Sequence, residues 1–359
     1  MMDDIKKCSE CNGCLSICPT YIETNNEEFS PIGRLKNSKL ILSGGKITEQ
    51  IIESIYNCPE CGICEIFCPE NIPISKIVAK ARDQLVKDGY TPLDKQQKII
   101  KGIENTGNSV RGDPEKRLDW LPEPFQENNS ENLLFLGCLP SYLVKDVAKS
   151  SYLALKKANF DFKILKNEGC CGIYFFDAGK KDLAEIIFRQ NVKRFKKLGI
   201  KTIIVPCVGC YRCFKTYYPE LLGTTGLKVK HISEILAEQI KKGNLKLTQK
   251  NDDVVYHDPC RLGRKEGIYN EPRAIIRARG LRLVEVEQNR EKSHCCGAGA
   301  GIRSLYRELS EDIAHTYLKQ IKYDNLITSC SFCVLNFRAA IKKNEMNKKI
   351  KFIADVVID

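Results

Sequence analysis

No stretch of this 359-residue sequence stays apolar for longer than a β-strand, so no segment reads as a membrane-spanning helix. The opening residues, MMDDIKKCSECNGC, lack the apolar core of a secretory signal, and the chain is expected to be leaderless and intracellular. That argues against a secreted disulfide scaffold as the reason for nineteen cysteines. The sequence also lacks a basic tail. Its formal charge of +12 is scattered along the chain and counts every cysteine as neutral. Metal-bound thiolates would cancel part of that excess. No nucleic-acid partner is therefore expected; a basic surface that attracts an anionic substrate or an acidic redox partner fits better. No flavin or nicotinamide motif is visible. The run GAGAG at 297–301 lacks the G-x-G-x-x-G spacing, the strand directly before it and the acidic residue of a dinucleotide site. What remains is a leaderless chain crowded with cysteine, and that points to metal.

The cysteines divide the chain into parts. Eight precede residue 70, none lies between Cys68 and Cys138, and eleven follow. Cys8, Cys11, Cys14 and Cys18-Pro19 spell C-x2-C-x2-C-x3-C-P, and Cys58, Cys61, Cys64 and Cys68-Pro69 spell it again. Three cysteines at this spacing let one loop wrap a cubane, while the fourth, turned away by its proline, ligates the other cluster. The assignment is Cys8, Cys11, Cys14 and Cys68 to one [4Fe–4S] cubane, and Cys58, Cys61, Cys64 and Cys18 to a second. Two zinc sites are the rival, but zinc has little use for the third cysteine or the C-P ending. KITEQIIESIYNC, leading into the second quartet, and residues 74–89 both read as helices. Residues 1–90 thus resemble the helical type of two-cluster ferredoxin.

Residues 91–130, rich in Pro, Gly, Asn and charge, read as a linker held to a neighbouring domain by Trp120 and Leu121. An internal repeat follows, spanning 131–250 and 251–359. Cys138, Cys170-Cys171-Gly172 and Cys207-x-x-Cys210 recur as Cys260, Cys295-Cys296-Gly297 and Cys330-x-x-Cys333, at offsets of 122, 125 and 123 residues. Strands are expected at 132–137, 162–165 and 202–206, and again at 253–257, 282–287 and 325–329. Helices are expected at 141–158, 183–199 and 303–322. The alternation predicts α/β layers with mainly parallel sheets, and cysteines fall where strands end, the side on which open α/β sheets bind ligands. The expected fold is therefore multidomain α and α/β.

Adjacent cysteines close only a strained disulfide ring, whereas they point different ways from consecutive backbone positions. Five thiolates per repeat exceed what one tetrahedral metal needs, and suit an extended iron–sulfur assembly. The small residues 297–301 let the backbone approach the cluster and aim N–H groups at its sulfurs.

These motifs, with HDPCRLGR (257–264), CCGAGAG (295–301) and GNSVRGDPEKRLDW (107–120), resemble the paired CCG domains of heterodisulfide reductase catalytic subunits. The order, ferredoxin then two CCG domains, is similar to the D-type subunit of that family. It is also similar to iron–sulfur subunits of glycolate, lactate and glycerol-3-phosphate dehydrogenases and to the B-type subunit of thiol:fumarate reductase. The resemblance implies a noncubane [4Fe–4S] cluster on Cys138, Cys170, Cys171, Cys207 and Cys210, and another on Cys260, Cys295, Cys296, Cys330 and Cys333, with zinc in one site as known among relatives. The second site is the better supported, because Ile173 and Tyr174 stand in the first where the second has Ala298 and Gly299. Cys213 is an additional cysteine without a counterpart in the second repeat, either a spare ligand or a free thiol.

The function implied is reduction of a disulfide, the coenzyme M–coenzyme B heterodisulfide of methanogenesis, by electrons entering at the cubanes. His257 and His294, beside Cys260 and Cys295, are candidate proton donors, or else orient the loops. Arg261, Arg264 and Lys265 are candidates for binding an anionic substrate, or else a solvated helix start. His231 and His315 carry no evident chemistry. The alternative is an electron-transfer subunit of a flavin-dependent dehydrogenase or a fumarate reductase. Either role requires a redox partner: a flavoprotein, a hydrogenase or formate dehydrogenase module, or a membrane cytochrome b. The expected location is cytoplasmic, with contact to the inner membrane face only through that partner.

Overall fold

The computed structural model describes residues 1–90 and 93–359. The N-terminal part is built from helices, with no strand among its described residues. Ser30 starts the helix Pro31–Leu42 by accepting from the Gly33 N–H at 3.0 Å, with Pro31 at its first position. Thr48 caps Glu49–Tyr56 in the same way. The helix Ile74–Lys87 turns Ile77, Val78, Ala81 and Leu85 inward against Ile55 and Leu35. Each such buried aliphatic side chain contributes about 1.5–3 kcal/mol. Cys58, Cys61 and Cys64 follow directly on this packed unit, so their loop is held by a rigid base.

The expected linker contains regular structure. Asp94–Thr106 is a helix that buries Ile100 and Ile103 and ends at Gly107, which adopts φ +68°. Beyond it, Trp120 is buried edge-on against Tyr152, their ring centroids 5.9 Å apart. The segment is thus clamped to the first repeat at both ends.

The first repeat forms a parallel sheet of β1 (Asn132–Leu134), β2 (Thr202–Val205) and β3 (Lys228–His231), in that order. The second forms a parallel sheet from β4 (Asp253–His257), β5 (Arg282–Val284), β6 (Asn325–Thr328) and β7 (Lys349–Phe352), ordered β5-β4-β6-β7. The expected strand at 162–165 shrinks to one bridge, Leu133 to Lys163. It occupies the place beside β1 that β5 takes beside β4, so the two sheets share one topology. β5 itself stops at Val284 instead of 287. The helix expected at 141–158 divides into Cys138–Tyr142 and Lys145–Lys157, and that at 303–322 into Ile302–Leu305 and Arg307–Gln320. Val144 and Tyr306 break them with nearly the same backbone geometry, φ −124° and ψ 62° against φ −126° and ψ 64°. Apolar residues from Ile100 to Val357 make one continuous core. Lys157 reaches the Val357 carbonyl at 2.7 Å, and the two repeats are not separable globules.

Candidate iron–sulfur sites and the cavity between the repeats

All nineteen cysteines are free thiols. In the N-terminal part Cys11 is exposed, Cys8, Cys64 and Cys68 are half-buried, and Cys14, Cys18, Cys58 and Cys61 are buried. Burial pushes the Cys14 thiol up to about 12, with the sulfurs of Cys18, Cys8 and Cys68 close enough to add to the effect. Burial likewise pushes Cys64 well up, with Cys61, Cys18 and Cys58 as its sulfur neighbours. Each trio therefore has the fourth cysteine of the other motif within its electrostatic reach. Two buried arginines stand beneath the second group. Arg34 donates to Thr20 Oγ1 at 2.8 Å, to the Ser54 carbonyl at 2.8 Å and to Cys18 Sγ at 3.6 Å. Arg82 donates to the Cys58 carbonyl at 2.7 Å. Both are cations placed where thiolates would need them, and both sit in helices whose charged residues read as solvent-facing.

In the first repeat Cys138 follows β1, Cys207 and Cys210 follow β2, and Cys170 and Cys171 lie on the loop before the helix Ile173–Asp177. All five are buried. In the second, Cys260 follows β4, Cys330 and Cys333 follow β6, and Cys295 and Cys296 precede the small residues. The Cys333 and Cys296 sulfurs are 3.1 Å apart. Backbone N–H groups point at sulfur in matching places: Gly172 at Cys170 and Gly297 at Cys295, both 3.3 Å. Burial pushes Cys333 well above the ordinary thiol range, and such a sulfur ionises only when a cation compensates it. Dense, buried, N–H-supported sulfur of this kind fits iron–sulfur ligation.

The structure gives Cys213 a place. Its Sγ donates to the Cys171 carbonyl at 3.2 Å. At the matching offset of 123 residues the second repeat has Asn336, whose amide donates to the Cys296 carbonyl at 2.6 Å. Cys213 is the counterpart of an asparagine, and both hold the same carbonyl.

The bare run 297–301 packs against the ferredoxin part. A side chain on Gly299 would lie 2.9 Å from the Pro59 carbonyl, inside the second quartet. Gly297 has φ +80°, and a Cβ there would meet the Ser310 carbonyl at 2.6 Å. Cys61, Cys260 and Cys295 pack together with Ile63 and Ile17. The Cys295 thiol bonds to Cys61 and, with Arg264 and Lys265 nearby, holds it at about 6 despite burial. Arg82 closes the junction, donating to the Asp177 carbonyl at 2.9 Å, to the Ala300 carbonyl at 3.1 Å, and pairing with Glu60 at 2.9 Å.

Of the basic residues after Cys260, Arg264 and Lys265 serve this junction, and Arg261, though paired in it, also lines the cavity between the repeats. Arg261 pairs with Asp177 at 2.8 Å and Glu60 at 3.4 Å. Arg264 donates to the Cys61 carbonyl at 2.9 Å, and Lys265 meets Glu65 at 2.9 Å and Ser75 at 2.7 Å. Their acceptors are already inside the molecule, so Arg264 and Lys265 are not free for an anion. His294 is half-buried; burial and the nearby Arg264 hold its imidazole below the usual range. His257 is buried in the second repeat. His231 caps Ile232–Lys241, and His315 lies within Arg307–Gln320.

Between the repeats lies a cavity with about 810 Å³ of space, partly open to solvent. Cys260, Cys296, Cys330 and Cys333 line one side. The first repeat contributes Ile173, Tyr174, Asp177, Val208 and Gly209 but none of its cysteines. Neither His257 nor His294 is on the wall. Ser109, Val110, Leu139, Ser304 and Phe332 are shared with an adjoining vestibule that carries Lys95, Lys98, Arg111, Arg303 and Arg307. This basic mouth was hidden in the sequence, because its residues come from the linker and from a helix about 200 positions later.

A helical two-cluster ferredoxin unit joined to duplicated α/β units that each carry the five-cysteine motif defines an iron–sulfur electron-transfer protein. The domain comparisons agree: a 4Fe-4S dicluster domain matches residues 4–72, and a cysteine-rich domain of the CCG type matches 133–215 and 254–338. The chain is 29% identical to the D-type subunit of the dihydromethanophenazine:CoB–CoM heterodisulfide reductase of Methanosarcina mazei, over 99% of this chain and 92% of that one. It is 31% identical to the B-type subunit of the fumarate reductase (CoM/CoB) of Methanothermobacter marburgensis, over 94% of this chain and 68% of that one. It is 28% identical to the EtfAB:quinone oxidoreductase of Syntrophomonas wolfei, over 97% of this chain but 57% of that one. The chain belongs to the family formed by the D-type subunits of heterodisulfide reductase and their iron–sulfur relatives.

Proposed function

We propose that this chain takes electrons from a redox partner and uses them to reduce an anionic disulfide held between its two repeats. The observation that carries the reading is the cavity: four second-repeat cysteines on one wall, a mainly apolar wall opposite that also carries Asp177 paired with Arg261, and a basic mouth. The reaction is RS–SR′ + 2 e⁻ + 2 H⁺ → RSH + R′SH, and the coenzyme M–coenzyme B heterodisulfide named for the relatives is the candidate substrate. When bound, iron–sulfur clusters supply single-electron transfer and iron that can hold a sulfur; two would be cubanes on the N-terminal quartets and two noncubane clusters on the CCG motifs.

The chain's own residues do the rest. The exposed Cys11, with the exposed apolar side chains of Ile66 and Phe67, is a natural docking face for a flavoprotein, a hydrogenase or formate dehydrogenase module, or a membrane cytochrome b. The Cys61–Cys295 contact joins the second cubane loop to the second CCG site. Ile173, Val208 and Phe332 exclude water, and Lys98 and Arg111 draw in the anion. No helix among the described residues is long and apolar enough to cross a membrane, so membrane contact in this reading comes through the partner.

The test is anaerobic purification, metal analysis and EPR before and after adding the heterodisulfide, with thiol release measured from a reduced viologen. About 16 iron atoms, a new signal that depends on the disulfide, and two thiols per two electrons are expected. A second reading, a relay subunit without disulfide chemistry, is favoured by the first repeat's cysteines being walled off from the cavity. Roughly 8 iron atoms and no thiol release would establish it instead.

A further inference from the structure

His257 ends β4 with 1% of its surface exposed, and no nitrogen or oxygen of the chain partners either ring nitrogen, while the Cys296 thiol lies close enough to share a proton with the ring. Buried polar atoms without partners are rare and call for an explanation. The ring is wedged edge-on between Tyr317 at 5.0 Å and Phe337 at 4.8 Å, so it is held in one orientation. In that orientation a ring nitrogen and the sulfurs of Cys296 and Cys333 all lie within 4.8 Å of one another. Packing alone does not require imidazole here. At the matching offset of 122 residues the first repeat has Phe135, which sits edge-on to Phe214 at 4.8 Å and needs no polar partner. The second repeat therefore has a nitrogen donor where the first has an aromatic spacer, beside two of the four cysteines that line the cavity.

We propose that His257 is a direct imidazole ligand of the metal centre in the second CCG site. That centre then has a mixed nitrogen and sulfur donor set, unlike the all-sulfur set of the first. The inference rests on the preceding reading only in requiring a metal on the second motif, and it holds for an iron cluster or for zinc, since both accept imidazole. With His257 on iron one of the five thiolates is released, and a neutral nitrogen in its place lowers the negative charge on the centre and raises its potential, as histidine does in Rieske centres. The second site becomes the easier one to reduce, and it is the site whose Cys295 touches the cubane loop.

The test compares holoprotein with ¹⁵N-labelled histidine against the His257→Phe variant, which installs the side chain that the first repeat already accommodates. Pulsed EPR on the reduced, disulfide-treated protein should show one strongly coupled histidine nitrogen, absent from H257F. The midpoint potential of that centre should fall in H257F while iron per chain and the cubane signals stay unchanged. If metal analysis finds zinc, the same comparison is made at the zinc absorption edge, where H257F should lose an imidazole shell. About 16 iron atoms with only weak nitrogen couplings, or a strong coupling that survives H257F, would overturn the ligand assignment and leave the disulfide reading intact. About 8 iron atoms and no zinc would remove the disulfide reading, and the ligand with it.

Discussion

Arg82 offers the sharpest test of how the three parts are joined. Arg82→Met keeps the aliphatic stem and removes the guanidinium. The side chain is fully buried. Its N–H groups serve the carbonyls of Ile55 at 2.9 Å, Cys58 at 2.7 Å, Asp177 at 2.9 Å and Ala300 at 3.1 Å, besides the pair with Glu60 at 2.9 Å. Removing one partner of a buried pair typically costs about 3–5 kcal/mol, because the other charge stays buried. Arg261, 3.4 Å from Glu60, offsets part of that loss, and the stranded carbonyls make it up again. A net loss of about 3–5 kcal/mol is expected. At about 2 °C per kcal/mol for a large domain, the thermal midpoint should drop by about 6–10 °C. The assay is anaerobic thermal unfolding followed by circular dichroism and by visible absorbance in parallel. Glu60→Gln alone and the double variant complete the cycle; the double should recover about 1–3 kcal/mol relative to the sum of the singles. Limited proteolysis of R82M should also release the N-terminal part sooner, since the three segments lose their common donor. An R82M midpoint within about 2 °C of the parent, or strictly additive singles, would refute the claim that this ion pair joins the parts.

Gly299→Val should leave both N-terminal clusters formed but slow electron delivery to the second repeat by at least tenfold in stopped-flow, because the new Cβ starts 2.9 Å from the Pro59 carbonyl; an unchanged rate would mean that this contact is not on the route. Lys98→Glu with Arg111→Glu should raise KM for an anionic disulfide by tenfold or more with kcat nearly unchanged, and should leave a neutral disulfide unaffected, since uniform binding is what the vestibule supplies. Cys213→Asn copies the second repeat and should keep iron content and stability. Cys213→Ala leaves the Cys171 carbonyl with the Tyr218 hydroxyl at 3.1 Å as its remaining donor and should cost about 1 kcal/mol by anaerobic denaturation, whereas loss of iron in the asparagine variant would restore Cys213 as a ligand.

What the sequence made legible follows from where each signal resides. The quartets are readable because their spacing is itself the coordination geometry, and β2, β4 and β6 because buried central strands are nearly unbroken apolar runs. The edge strands β3 and β7 are written KVKH and KIKF, with lysines alternating outward as edges require, and that dilutes the apolar signal. Asp94–Thr106 carries its buried face on so few apolar residues, among lysines and glutamines, that it reads as linker. Arg82 is invisible as a junction residue because its partners lie up to 218 positions away. The same distance hid the partners of Arg264 and Lys265: cations after a cysteine suggest an anion site, but the anion and carbonyls these two meet were already in the chain. The bare run 297–301 did signal a close approach. What approaches it, Pro59, came from another segment.

The unequal fates of the two repeats have a geometric cause. Duplication yields two equivalent surfaces, each with a paired-cysteine loop that could accept an electron-donating unit. The chain carries one such unit, with one loop able to reach across. That loop docks where Ala298 and Gly299 leave the backbone bare, and Arg82 fixes it there through Ala300. At the equivalent positions the first repeat has Ile173 and Tyr174, which turn their bulk into the cavity instead. Ile173 also lies 3.6 Å from where a side chain on Gly209 would stand, and Cys207 Sγ lies at the same distance on the other side, so this wall shields the first repeat's sulfurs from the cavity. In the proposed function, one surface is committed to receiving electrons and the other is free to become the wall against which a substrate is held. A symmetric pair could not offer both a donor contact and a binding wall in one cavity, and the substitutions at 173, 174, 135 and 213 are the places where that symmetry was given up.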